Sequence, residues 1–155
     1  MKGDAQVLDA LNRALAEELT AINQYFLHAE LCENWGYEKL AKYIKKQSID
    51  EMKHAERLIE RILFLDGMPS LQPSTLSVGH NVQSMLESDK ALEQEAVSLY
   101  NENIRLSVEK GDNGSKELFT TLLKDEEEHY DWLEAQLHQI GEMGYGQYLA
   151  AQLKD

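Results

Sequence analysis

Glu18, Glu51 and His54 recur as Glu93, Glu126 and His129, each shifted by 75 positions. Each half of the chain therefore offers one glutamate and, 33 positions later, a Glu-x-x-His. Carboxylate oxygens bring charge and imidazole nitrogens fix geometry, a donor set suited to first-row metal ions with open coordination positions. A doubled set can hold two ions side by side. The Glu-x-x-His spacing puts both donors on one helix face, about one turn apart.

A lone glutamate on a helix is usually solvated, and Glu17, Glu56, Glu60, Glu127 and Glu128 read that way. The other four interrupt apolar lines. These lines are Leu11, Leu15, Glu18, Ile22, Tyr25; then Gln47, Glu51, His54, Leu58; then Leu86, Asp89, Glu93, Ala96, Tyr100; then Leu122, Glu126, His129, Leu133. Four carboxylates buried together repel one another and lose hydration. Two divalent cations would cancel their charge, which favours a metal site over a cluster of protonated acids. Tyr25 and Tyr100 lie two turns beyond Glu18 and Glu93. They read first as core packing, with a hydroxyl bond to a ligand carboxylate as the alternative. His28, His80 and His138 lack the pattern and read as surface or boundary histidines, and Trp35 and Trp132 as packing or interface residues.

Four long helices would have to position these groups. The first runs from about Asp4 to Asn34 on the stripe Val7, Leu8, Leu11, Leu15, Leu19, Ile22, Phe26, Ala29. The second runs from about Tyr37 to Leu65, with Gly67 as its cap. The third opens at the N-cap Asn81 and ends before Gly111, and the fourth spans Ser115 to about Gly141. Both prolines, Pro69 and Pro73, fall between the second and third helices. So long a connection makes sense as a strap along the bundle, returning the chain to the starting end. The third helix would then run parallel to the second, and the two hairpins would be related by a pseudo-two-fold axis. Pairs such as Leu11 with Leu86, Ile22 with Val97, Tyr25 with Tyr100 and Leu58 with Leu133 carry the same offset. GEMGYG breaks the fourth helix before a short amphipathic end. The expectation is one all-α domain over residues 1–155: a four-helix bundle with a long crossover and a short fifth helix.

The net charge of −13 argues against nucleic acid and anionic membranes as partners and favours cation attraction. The single cysteine, Cys32, excludes an internal disulfide and a Cys-x-x-Cys knuckle, and reads as a small buried apolar group. The charged start has no signal-like apolar run, which gives a cytoplasmic reading.

The chain resembles the bacterioferritin family of ferritin-like proteins along its length. The resemblance rests on MKGD, on ELTAINQYFLHAE around Glu18, on SIDEMKHAERLIERILFLDGMPSLQ and on DEEEHYDWLE. It implies a cage of about 24 subunits made of two-fold dimers. It also implies iron storage and a ferroxidase centre that oxidises Fe²⁺ with O₂ or H₂O₂. Glu18 with His54 would hold one iron and Glu93 with His129 the other, with Glu51 and Glu126 bridging. The same resemblance implies haem b at the subunit two-fold with Met52 as axial ligand, and a ferredoxin as electron donor for iron release. Family members often carry a histidine where Lys46 stands, forming an extra iron site with Asp50. Asp50 is present here, but Lys46 and Gln47 are poor iron ligands, so the expectation is that iron reaches the cavity by another route, such as exchange through the centre itself. The rivals are a rubrerythrin-like di-iron peroxidase, a di-iron oxygenase, and a haem-binding or structural assembly.

Overall fold

The computed structural model describes residues 1–154. Helices α1 (Ala5–Asn34), α2 (Glu38–Phe64), α3 (Val82–Glu109) and α4 (Asn113–Met143) form the bundle, and α5 (Tyr145–Ala150) closes one end. Local chemistry sets the starts. The Asp4 carboxylate accepts from the Gln6 and Val7 amides at α1. Asn81 and Ser84 form a reciprocal capping box at α3. α4 starts earlier than Ser115, because Asp112 is its cap and accepts from the Ser115 amide at 2.9 Å.

The end of α2 differs from expectation in one detail. The left-handed residue is Asp66, with φ 60°, rather than Gly67. Gly67 is instead required for space, since a Cβ there would lie 2.6 Å from the Leu8 side chain. The Asp66 carboxylate pairs with the terminal amine of Met1 at 3.2 Å.

The strap runs the length of α1, and α1 side chains satisfy its backbone. Asn12 donates to the Met68 carbonyl and accepts from the Ser70 amide. Thr20 accepts from Ser74, Gln24 from Ser77, and His28 Nε2 from Gly79. The chain thus returns to the far end, and α3 runs antiparallel to α1, as the Asn103 bond to the Ala10 carbonyl and the Gln24 bond to Asp89 require.

His28 therefore corrects the surface reading: it is fully buried. Its Nε2 accepts a hydrogen bond, so its proton sits on Nδ1, 2.9 Å from Asp89 Oδ1. Phe26 is a second correction. It is half exposed, and the buried line of α1 passes instead through Ala21, Tyr25, Ala29 and Cys32. His80 and His138 are exposed, and Trp35 is exposed at the α1–α2 turn.

The core forms two apolar clusters. One contains Leu11, Leu15, Leu58, Ile62, Phe119 and Leu122. The other contains Tyr25, Ile44, Leu86, Leu133, Ile140 and Tyr148. On every helix the six candidate ligands fall between residues of the two clusters. Each fully buried Leu or Ile contributes about 1.5–3 kcal/mol, so apolar packing on both sides supports a polar layer that could not hold itself together. Among the described residues, no helix is long and apolar enough to cross a membrane.

Candidate metal centre

The structure brings all six predicted residues together. Glu18 and Glu93 come from α1 and α3, Glu51 and His54 from α2, and Glu126 and His129 from α4, and all are buried. Two groups form. Glu18, Glu51, His54 and Glu126 offer donor atoms within 4.8 Å of one another, and so do Glu51, Glu93, Glu126 and His129. Glu51 and Glu126 belong to both groups.

Each imidazole aims Nδ1 at the carboxylates. His54 Nδ1 lies 2.8 Å from Glu126, 3.4 Å from Glu18 and 3.5 Å from Glu51. His129 Nδ1 lies 3.1 Å from Glu51, 3.5 Å from Glu126 and 3.6 Å from Glu93. The ring centroids are 6.4 Å apart.

A surrounding layer holds these groups, and sequence reasoning caught only part of it. The Tyr25 phenol donates to Glu93 and the Tyr100 phenol donates to Glu18. Burial and the nearby carboxylates push both phenols well above their usual pKa, so they remain donors. Packing, the first reading for these tyrosines, is only half their role. On the other side of each imidazole, His54 Nε2 lies 2.9 Å from Asp125 and His129 Nε2 lies 3.6 Å from Asp50. Asp125 was missed, and the signal was available: Asp50 and Asp125 obey the 75-residue offset. Such carboxylates fix the tautomer that leaves Nδ1 free for a metal.

Left to protons alone, the cluster shows how much charge it must neutralise. Burial, reinforced by Glu126, raises Glu18, Glu51 and Glu93, the last two well above the usual carboxylate range. Burial opposes the charged form of Glu126 too, but hydrogen bonds from Glu93, His129 and His54 hold it well below that range. Burial likewise disfavours both imidazolium ions, yet their carboxylate contacts raise His54 to about 11 and His129 to about 10. Even so, one oxygen each of Glu18, Glu51, Glu93 and Glu126, and Nδ1 of His129, complete no hydrogen bond. All of these residues belong to the two donor groups, and hard cations bound there would neutralise their charge.

Met52 lies outside this centre. It is 56 % exposed on the outer face of α2. Glu56, Glu60, Glu127 and Glu128 are exposed as expected, whereas Glu17 is half-buried and its carboxyl is raised by burial and by Glu95.

Comparison with known proteins agrees with this geometry. The ferritin-like domain family matches residues 8–143. The bacterioferritin of Brucella melitensis is 48 % identical over 155 residues, covering 97 % of this chain and 96 % of that protein. The bacterioferritin of Mycobacterium leprae is 46 % identical over 151 residues, covering 97 % and 95 %. That of Rhodobacter capsulatus is 47 % identical over 145 residues, covering 93 % and 90 %. The duplicated ligand pattern, the strapped bundle and these identities lead to one conclusion: the chain belongs to the bacterioferritins, within the ferritin-like family.

Proposed function

We propose that this protein stores iron and oxidises it at the centre described above, acting as a ferroxidase on Fe²⁺. The observation that carries the reading is the pair of overlapping donor groups sharing Glu51 and Glu126. Two Fe²⁺ are the substrate. Glu18 and His54 take one, Glu93 and His129 the other, and Glu51 and Glu126 bridge them. Close placement lets one O₂ or H₂O₂ draw an electron from each iron. Anionic oxygen donors favour Fe³⁺ over Fe²⁺ and so help the oxidation. Tyr25, Tyr100, Asp50 and Asp125 keep the donors oriented, and the two apolar clusters exclude bulk water.

The product then passes to a mineral core inside a homo-oligomeric cage of about 24 subunits, working in the cytoplasm. Lys46 is exposed beside Asp50, and Asp50 already faces His129. That supports passage of iron through the centre rather than through a separate site on the wall, and a Lys46→His variant with unchanged mineralisation kinetics would remove the idea. Met52 shares an outward face with the exposed Ile49 three residues earlier, and Phe26 is exposed on α1. A thioether with apolar neighbours suits haem between two copies of the chain. Bound there, haem supplies a one-electron carrier for iron release by a small ferredoxin.

Glu18→Ala and His129→Ala test the core of this reading. Both should fold and assemble, and both should oxidise Fe²⁺ far more slowly than the parent. Parental rates in both variants would sink it. A native mass measurement with iron and haem assays tests the cage: many irons per subunit are expected.

A further inference from the structure

Four α1 side chains accept from the strap backbone, and three of them, Asn12, Thr20 and Gln24, cannot change charge. The fourth is His28, whose Nε2 accepts from the Gly79 amide at 3.0 Å. An amide N–H only donates, so this rung exists only while Nε2 carries no proton. On the other side of the ring, Nδ1 lies 2.9 Å from Asp89 Oδ1 on α3, and both side chains are fully buried. The 75-residue repeat does not call for such a pair, since the mates of His28 and Asp89 are Asn103 and Ala14.

The rung secures the start of α3. Gly79 is packed on the first turn of that helix, where a Cβ would lie 2.3 Å from the Met85 nitrogen. Asn81, two residues on, is the α3 cap, and the His80 and Asn81 amides both donate to the Ser84 hydroxyl.

A further proton on the His28–Asp89 pair has two places to go. Oδ1 of Asp89 already accepts from the Gln24 amide at 2.8 Å. Oδ2 is buried without a partner, so a proton there would become an unmet donor. A proton on Nε2 makes an ion pair with Asp89 and gives up only the Gly79 amide. Burial raises the Asp89 carboxyl while His28 and Gln24 lower it, so the carboxylate gains from a cation beside it. The other titratable groups that feel Asp89 are Tyr25 and Cys32 of α1. Burial raises both, with Asp89 adding to it, the thiol to about 12, so both stay protonated. His80 on the strap is exposed. Among the described residues, no charged side chain of α2 or α4 pairs with His28 or Asp89.

We propose that His28 is a proton-sensitive latch for the strap. Proton uptake at Nε2 turns an acceptor into a donor facing the Gly79 N–H, frees this end of the strap from α1 and loosens the first turn of α3. The open form holds one more proton than the latched form, so latching strengthens as pH rises. Opening sets in as pH falls through the ordinary histidine range, about 6 to 7. The device needs no metal and stands apart from the iron reading.

Hydrogen exchange of the assembled protein, read by mass spectrometry and corrected for the intrinsic rate at each pH, tests the latch. Between pH 8 and 5.5, protection of residues 77–81 should fall about tenfold, as one proton bound near the middle of that range dictates. Residues 68–75, held by Asn12 and Thr20, should keep theirs. Constant protection of 77–81 overturns the proposal, because the proton would then sit on Asp89. An equal loss in both segments also overturns it, as general loosening. His28→Gln offers an amide oxygen in place of Nε2 at every pH, and the fall should disappear; a fall that survives the substitution sinks the latch. If that variant does not assemble, Asp89→Asn serves instead. It keeps an acceptor for Gln24 and removes the charge that favours the imidazolium. The onset of opening should then move about one pH unit or more toward acid, and an unmoved onset overturns the assignment.

Discussion

His54 on α2 points its Nε2 at Asp125 on α4, 2.9 Å away, and so is oriented by the opposite half of the chain. The equivalent contact of His129 with Asp50 is looser, at 3.6 Å. Asp125→Asn should weaken Co²⁺ binding at the Glu18–His54 position by about 10- to 100-fold. Asp50→Asn should have the smaller effect. Calorimetric titration of both variants checks the order, and equal affinities would deny the carboxylates a positioning role.

Tyr100→Phe removes the donor to Glu18 and leaves a buried oxygen unmet. The metal-free protein should lose about 1–3 kcal/mol of stability. With Zn²⁺ bound the loss should shrink, because the cation then satisfies the carboxylate. Thermal unfolding with and without Zn²⁺ reads the difference.

Metal affinity should rise with pH. His54 and His129 hold protons up to about 11 and 10, and Glu51 and Glu93 are raised well above the usual range. A cation must displace those protons, so each step down in pH favours the competitor. Between pH 6 and 8, Co²⁺ affinity should climb steadily, with at least about one proton released per ion in weakly buffered solution. A flat profile would mean that the ions bind elsewhere.

Thr20→Val deletes the acceptor for the Ser74 amide while keeping the shape of the side chain. The strap should open locally, with faster hydrogen exchange around Ser74 and a global cost of about 1 kcal/mol. Exchange at the parental rate would show that the strap does not depend on this rung.

The long helices, the strap and the six ligands were legible because each rests on a periodic signal: apolar residues at 3–4 spacing and one 75-residue repeat. What was missed depends on contacts that periodicity does not encode. His28 looks unremarkable until the strap arrives 51 residues later and offers the Gly79 amide. Asp125 is hidden in an acidic run, DEEEH, that reads as solvated surface, and only its offset from Asp50 sets it apart. Phe26 fits the helical stripe as well as any residue, yet the angular drift of a 30-residue helix carries it past the edge of the core. At the end of α2, the usual preference for glycine in a left-handed position gave way to Asp66, whose carboxylate meets the terminal amine.

The bonds that support the ligands cross between the hairpins in matched pairs: Tyr25 to Glu93 and Tyr100 to Glu18, His54 to Asp125 and His129 to Asp50. Neither hairpin alone contains both members of any such pair. Two identical copies of one hairpin would contain them all. The repeat is thus what gene duplication and fusion of a self-pairing ancestor would leave behind, with the strap as the weld and Gln47 opposite Leu122 as a place where the twins have since parted.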